Sequence, residues 1–223
     1  MPRIARVVAA GLPHHITQRG NYRQDVFLNA DDRMRYLAWI KEYSLKYGIS
    51  ILAYCLMQNH VHFIAIPSKD DSLAKTFNAT HMRYSQYFNQ KLRQRGHLWQ
   101  GRFYSCILDE PHLILAARYV ERNPVRVGLV EKPWQWPWSS AAAHTGQKEA
   151  GLIELGDFFS IAGMSYDSWR GYLDAADKIN FIQDIRKYTF TGRPLGRAAF
   201  IERLEKKFSR RLSALPIGRP NKG

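Results

Sequence analysis

His60-Val61-His62 places two histidines two residues apart, a spacing that on a β-strand sends both imidazoles to one face. Two neutral imidazoles at a strand end can grip a divalent transition metal. An isolated pair of this kind is as readily a pair of packed core histidines. Here, however, Gln58, Asn59, His60 and His62 interrupt an otherwise apolar segment, where such groups are costly to bury. A second signal lies in Arg118-Tyr119-Val120-Glu121-Arg122-Asn123-Pro124-Val125-Arg126. On a helix, Tyr119 and Asn123 fall one turn apart. The Asn123 carbonyl is a suitable oxygen ligand for a hard divalent ion. Arg118, Arg122 and Arg126 recur every four residues, a stripe able to hold phosphates in bidentate fashion. A solvated helix face would look the same, and spacing alone leaves Tyr119 one candidate nucleophile beside Tyr84 and Tyr87.

The elements that must position these residues follow from periodicity and breakers. Residues 13–19 (PHHITQR) read as a strand closed by the turn signal Gly20-Asn21. Asp31 and Asp32 supply an N-cap and an acidic first turn to a helix that Gly48 ends. Residues 49–57 and 60–66 form a hairpin around Gln58-Asn59, stopped by Pro67. Ser72 caps a long helix reaching Leu92, and residues 101–108 read as a fourth strand. Pro111 begins a helix over 112–122 that ends before Pro124. This order predicts an α+β fold: a ferredoxin-like (RRM-like) antiparallel sheet with helices on one face.

The aromatic stretch Trp134–Ser140 reads as a lid on the core, and residues 146–151 as a polar linker. Residues 158–178 and 181–186 look helical. Residues 198–212 form an amphipathic helix, with Phe200, Leu204, Phe208 and Leu212 on its apolar stripe. The tail over 218–222 reads as short, basic and disordered. The expected division is a domain over 1–145 that carries the candidate histidines and tyrosine, and a helical, basic C-terminal extension over 146–223.

Charge narrows the partners. The 223 residues carry 33 Lys and Arg against 19 Asp and Glu, a net charge of +14. Eleven of the Lys and Arg, against two acidic residues, lie between Arg186 and Gly223. A domain this basic has a polyanionic partner, nucleic acid before any anionic membrane surface. With 45% hydrophobic and 13% aromatic residues the chain is not disordered. No apolar run approaches the roughly 20 residues that span a bilayer, and the first residues are too interrupted for a secretory signal. Two cysteines make no disulfide scaffold and point to a reducing cytoplasm.

In combination, His60-Val61-His62 at a strand start and Arg118-Tyr119 through Asn123-Pro124-Val125-Arg126, with Gly128-Leu129-Val130 beyond, resemble the single-tyrosine HUH transposases. More narrowly they are similar to the REP-associated tyrosine transposases. Further matching fragments are His15-Ile16-Thr17-Gln18-Arg19-Gly20-Asn21, Trp99-Gln100-Gly101-Arg102-Phe103 and Trp136-Pro137-Trp138-Ser139-Ser140. The resemblance covers roughly residues 10–145. It implies that His60 and His62 bind a catalytic Mg²⁺ or Mn²⁺, with Asn123 at the third-ligand position, where relatives often carry Gln. It implies Tyr119 as the nucleophile that cuts single-stranded DNA beside a hairpin, forming a 5′-phosphotyrosine link and freeing a 3′-OH. A second 3′-OH can resolve the link, so strands are transferred without ATP. The implied DNA-binding residues are Arg19, Arg102, Arg118, Arg122, Arg126, Arg193, Lys206, Lys207, Arg210 and Arg211. Thr191-Gly192-Arg193-Pro194-Leu195-Gly196 is similar to an accessory tail of some relatives, here a candidate DNA clamp.

The chemistry is coherent with that assignment. A phenol of pKa about 10 is a poor nucleophile at pH 7, and a metal on the scissile phosphate neutralises developing charge and orients in-line attack. No general base for Tyr119 is evident in the sequence. Two other readings stay open: a non-catalytic nucleic-acid binder stacking bases on a ferredoxin-like sheet, and a zinc site using Cys55 and Cys106. The first finds only Phe63 among residues 62–66 to stack on, and the second lacks a C-x-x-C knuckle. The partner expected is single-stranded or hairpin DNA and not a membrane, with monomer and homodimer both open.

Overall fold

The computed structural model describes residues 6–177 and 179–213; the expected basic tail over 218–222 lies outside them. The strands are β1 (His14–Arg19), β2 (Ile49–Leu56), β3 (His60–Pro67) and β4 (Tyr104–Ile107). Between and after them run α1 (Ala30–Tyr47), α2 (Ser72–Leu92), α3 (Glu110–Glu121), α4 (Asn123–Arg126) and α5 (Ala141–His144). The extension holds α6 (Leu155–Ala162), α7 (Tyr166–Asp174), α8 (Ile179–Thr191) and α9 (Ala198–Phe208). All strand pairs are antiparallel in the order β2-β3-β1-β4, the ferredoxin-like arrangement. Among the described residues no helix is long and apolar enough to cross a membrane.

Local chemistry sets the boundaries. The N-cap of α1 is Asn29 rather than an aspartate: its side chain accepts from the Asp32 backbone N–H, and Asp32 reaches back in a capping box. Asp32 can do so because it is buried and further held by Lys91 Nζ at 2.6 Å and Tyr87 Oη at 2.8 Å. Gly48 ends α1 in the left-handed region at φ 67°, and a Cβ there would meet Ser68 Oγ at 2.1 Å. Asp109 caps α3 by accepting from the His112 backbone N–H, with Pro111 in the first turn.

The sheet separates two cores. On one face α1 and α2 cover Ile16, Ile51, Tyr54, Val61, Phe63 and Ala65, packing Tyr36, Phe77 and Tyr84 onto them. On the other, Cys55, Ile64 and Cys106 pack against Leu113, Ala117, Tyr119 and Val120 of α3. That second cluster also contains Phe158, Trp169, Leu173 and Ile185, so helices before and after residue 145 share one core. The expected helical run over 158–178 is two helices, because Gly163 at φ 61° ends α6 and Ser165 caps α7. The last helix stops at Phe208, since Ser209 turns left-handed at φ 46°. Leu212 is nevertheless buried, its backbone N–H and that of Ser213 donating to Glu205 Oε1 at 2.7 and 2.8 Å. Trp134 and Trp136 pack on the second core, as a lid would, while Trp138 packs on the first.

A buried carboxylate ties α3 to the rest. Glu121 Oε1 accepts from His144 Nδ1 at 2.5 Å and from the Ser140 hydroxyl, and Oε2 accepts from Trp169 Nε1 at 3.0 Å. Replacing Glu121 with Ala orphans these buried donors, each costing about 1–3 kcal/mol. Glu121→Ala is therefore expected to lose about 3 kcal/mol or more of unfolding free energy in urea, and Glu121→Gln clearly less.

Candidate active site

On β3 the side chains alternate, so Val61, Phe63 and Ala65 fill the first core while His60 and His62 face α3. Antiparallel pairing sets Thr17 opposite His62, which brings His15, two residues along β1, beside it. The His15 and His62 rings lie nearly parallel, 7° apart with centroids at 5.1 Å, and His15 Nε2 is 2.9 Å from His62 Nδ1. Tyr119 descends from α3 onto this pair, edge-on to both rings, at 5.9 Å from His15 and 5.7 Å from His62. His60 stands perpendicular to His62, centroids 5.0 Å apart. The three residues singled out first, His60, His62 and Tyr119, thus meet.

The electrostatics keep the imidazoles neutral. Burial lowers His15 to about 3. Burial, then the charges of Arg19 and Arg186, lowers His60 to about 3. Burial, with neighbouring His60, His15 and cationic arginines, holds His62 well below its ordinary 6.5. A neutral imidazole with one nitrogen engaged is a ready metal ligand. His60 Nδ1 is taken by Asn59 Oδ1 at 2.6 Å and His62 Nδ1 by His15, which leaves the Nε2 of each for a metal. The donor chemistry of this pair therefore fits a divalent cation. Asn123 is differently engaged: its Oδ1 accepts from Arg126 Nη1 at 3.1 Å, and its buried Nδ2 has no partner. Among the described residues no group of three or more His, Cys, Asp or Glu is arranged to hold a metal.

Around Tyr119 the charge is positive. The Arg126 guanidinium sits 4.6 Å from the centre of the Tyr119 ring, and Arg186 Nε on α8 is 3.4 Å from Tyr119 Oη. Contrary to the solvent-facing stripe the spacing allows, Arg118 and Arg122 are buried and Arg126 is half-buried. All three converge on Asp177, at 3.1, 3.0 and 3.3 Å. Arg118 also donates to the carbonyls of Tyr172, Ala175 and Ala176, and Arg122 to that of Leu173. The carbonyls of Tyr172, Leu173 and Ala175 are orphans at the C-terminal end of α7, which favours cations, and that of Ala176 follows directly.

The other candidate DNA contacts are dispersed. Arg19 is exposed at the end of β1, opposite His60. Arg102 lines an open groove of about 450 Å³ with Asn21, Trp99 and Gln100. Lys206, Lys207, Arg210 and Arg211 are exposed on and just after α9. Arg193 is turned inward, donating to the carbonyls of Leu212 and Ser213 at 2.7 and 2.5 Å. Sequence reasoning missed Asp177, Arg186 and Thr189 as neighbours of the site. Nothing in their spacing marks them, since each is brought in by the packing of α7 and α8. His15 follows from parity once the register of β1 on β3 is known: it shares the face of Thr17, which pairs with His62.

Comparison with known proteins decides the family: residues 9–123 match the model described as "Transposase IS200 like". The chain belongs to this family. It is 33% identical over 106 residues to a Haemophilus influenzae protein named "Putative REP-associated tyrosine transposase", an alignment covering 42% of this chain. The chain spans 60% of the length of that curated relative. A solved REP-associated tyrosine transposase bound to a REP hairpin shares the fold, with a TM-score of 0.54 and 20% identity over 70% of this chain and 90% of that one. All the site residues on the strands, with Tyr119 and Asn123, lie inside the IS200-like transposase segment. Asp177, Arg186 and Thr189 lie outside it.

Two outcomes follow from the site's charges. His15 and His60 have folded values near 3 against an ordinary 6.5, so the unfolded chain binds more protons between those limits. Stability is full above about pH 6.5 and falls as pH drops toward 3, with a slope approaching about 1.4 kcal/mol per pH unit for each such histidine. Urea midpoints at pH 7 and pH 5, measured without metal, should show that loss. Second, Asp177→Asn leaves three guanidiniums around no carboxylate. The variant should melt lower than the wild type, and added sulfate should raise its melting temperature more than that of the wild type.

Proposed function

We propose that this member of the IS200-like transposase family cuts and rejoins single-stranded DNA at hairpin sequences through a 5′-phosphotyrosine link on Tyr119, in a reaction that depends on Mg²⁺ or Mn²⁺. The observation that carries the reading is the convergence of Tyr119 from α3 with His60 and His62 from β3 on one buried patch. Likeness to a REP-associated tyrosine transposase supports the hairpin substrate.

In this reading Tyr119 Oη attacks the scissile phosphorus in line, the P–O3′ bond breaks, and the leaving 3′ oxygen takes up a proton. Rejoining is the reverse, with an incoming 3′-OH displacing the tyrosine oxygen. Divalent metal on His60 and His62 supplies charge neutralisation and orientation of the scissile phosphate. Arg186 lies beside Tyr119 Oη, where a guanidinium stabilises the phenolate and holds the phosphate it becomes bonded to. Packing against His15, His62 and Arg126 restricts the Tyr119 ring to one approach, as in-line geometry demands. Asn123 serves as third ligand only if its carbonyl exchanges Arg126 for the metal. Arg118, Arg122 and Arg126 serve as phosphate clamps only if DNA replaces Asp177. Arg19, Arg102, Lys206, Lys207, Arg210 and Arg211 supply non-specific phosphate contacts at the surface, and Arg193 supports them by fixing the chain after α9. The extension over 146–223 is in this reading the part that grips DNA outside the catalytic unit.

The test uses purified protein, a labelled pool of hairpin single strands and Mg²⁺ or Mn²⁺. A covalent adduct surviving denaturation should map to Tyr119 and require metal. Tyr119→Phe should reduce adduct to background while DNA affinity changes less than about twofold, and His60→Ala with His62→Ala should abolish adduct and metal dependence together. An adduct on another tyrosine, or one that survives the double histidine change, overturns the assignment.

A further inference from the structure

We propose that Thr189 and His15 are positioning residues that hold His62 in the tautomer a divalent metal requires, so that α8 is a structural part of the metal site; this rests on the metal-dependent reading of His60 and His62.

A neutral imidazole has one N–H and one lone pair, and only the lone pair binds metal. For His60 the matter is settled locally. Asn59 Nδ2 donates to the Arg23 carbonyl at 3.1 Å, which turns Asn59 Oδ1 toward His60 Nδ1 at 2.6 Å. A carbonyl oxygen only accepts, so His60 carries its proton on Nδ1 and keeps the Nε2 lone pair.

His62 has no such fixed acceptor. Its Nδ1 faces His15 Nε2 at 2.9 Å, and an imidazole nitrogen can give or take. The choice passes one link further, because His15 Nδ1 faces Thr189 Oγ1 at 2.7 Å. When Thr189 accepts from His15 Nδ1–H, His15 Nε2 accepts from His62 Nδ1–H and His62 Nε2 is a lone pair. When the chain runs the other way, His62 carries its proton on Nε2 and cannot ligate. Thr189 has a second neighbour for its own hydrogen, Cys106 Sγ at 3.2 Å, which frees its lone pairs for His15. His15 and Thr189 are 1% and 2% exposed, so water offers neither an alternative partner.

Removing the hydroxyl reverses the relay. In Thr189→Val, a proton on His15 Nδ1 would be buried without an acceptor, which is costly. The proton moves to His15 Nε2, donates to His62 Nδ1, and forces the His62 proton onto Nε2. Both rings switch together, although the substitution touches only one of them.

The experiment takes the full chain with ¹⁵N-labelled histidine, without metal, and reads tautomers from long-range ¹H–¹⁵N correlations. His15 and His62 should be Nδ1–H in the wild type, Nε2–H in Thr189→Val, and Nδ1–H again in Thr189→Ser. Mn²⁺ affinity, followed by the signal of the free ion, should fall about tenfold or more in Thr189→Val and recover in Thr189→Ser. Should the valine variant not fold, His15→Phe keeps a ring beside His62 but no acceptor, and should weaken Mn²⁺ by about 10–100-fold. Wild-type rings in the Nε2–H form, or a folded Thr189→Val with unchanged tautomers and Mn²⁺ affinity, overturn the proposal. A wild type that binds no Mn²⁺ overturns the metal reading instead, and the spectra alone then decide the relay.

Discussion

Which face of β3 the histidines occupy governs the rest of the site. Val61, Phe63 and Ala65 are completely buried against α1 and α2, so the strand cannot slip by one residue without exchanging three apolar side chains for His60, His62 and Ile64. A slip of that kind reverses every side chain on the strand, and burying Val and Phe side chains is worth roughly 1.5–3 kcal/mol apiece. The first core therefore holds the register, and the register points both imidazoles at α3. Pairing with β1 carries the same constraint to His15, since Thr17 is opposite His62 and Ile16 belongs to the first core. A bulge between Ile51 and Ala53 shifts parity on β2, which lets Leu52, Ala53 and Cys55 all face the second core.

Helix α3 is the polar counterpart of that apolar lock. Over its last turn it presents Arg118 to the end of α7, Tyr119 to the histidines and Glu121 to Ser140, His144 and Trp169. Each of these side chains is buried, and a buried polar group is tolerated only with partners. The partners come from segments far along the chain, so the orientation of Tyr119 is specified by contacts that also dock the extension. The arginines show the asymmetry of the arrangement: three guanidiniums share one carboxylate, Asp177. Part of their charge is met by the carbonyls of α7, which carry only the partial charges of a helix terminus. The surroundings of Tyr119 thus stay rich in positive charge.

Much of this was legible in the order of residues. Alternation and turn chemistry predict the four strands, and the βαββαβ order leads to the ferredoxin-like sheet because few topologies satisfy it. The His60–His62 pair is visible because period-two geometry needs no tertiary knowledge. The stripe Arg118, Arg122 and Arg126 was read at the right spacing but facing the wrong medium, since helical spacing says which residues share a face and not what covers it. What covers it is α7 and its following turn, a segment whose own sequence looks like one long helix until Gly163 and Ser165 divide it. Asn29 caps α1 because Asp32, three residues on, closes a capping box with it: one carboxylate oxygen takes the Leu28 and Asn29 N–H groups, and the other holds Tyr87 and Lys91 of α2. Residues Thr189 and Arg186 belong to the site through tertiary contact alone.

Burial gives the site both its readiness and its acid sensitivity. An exposed histidine would be partly protonated near neutral pH, and the proton would compete with any metal for the ring nitrogen. Here burial is the first cause of the depressed values of His15, His60 and His62, and neighbouring positive charge adds to it for His60 and His62. The positive charge of Arg19 near both rings, with Arg186 near His60 and Arg126 near His62, thus favours neutral imidazoles, so the field around Tyr119 and the protonation of the histidines are coupled. Desolvation acts on every group in the patch, whereas hydrogen bonds select among protonation sites. Asn59 does this for His60 at the edge of the sheet, and His15 does it for His62 beneath α8. Burial without a neighbouring carboxylate keeps these imidazoles neutral; which nitrogen each offers is decided by what stands behind the ring.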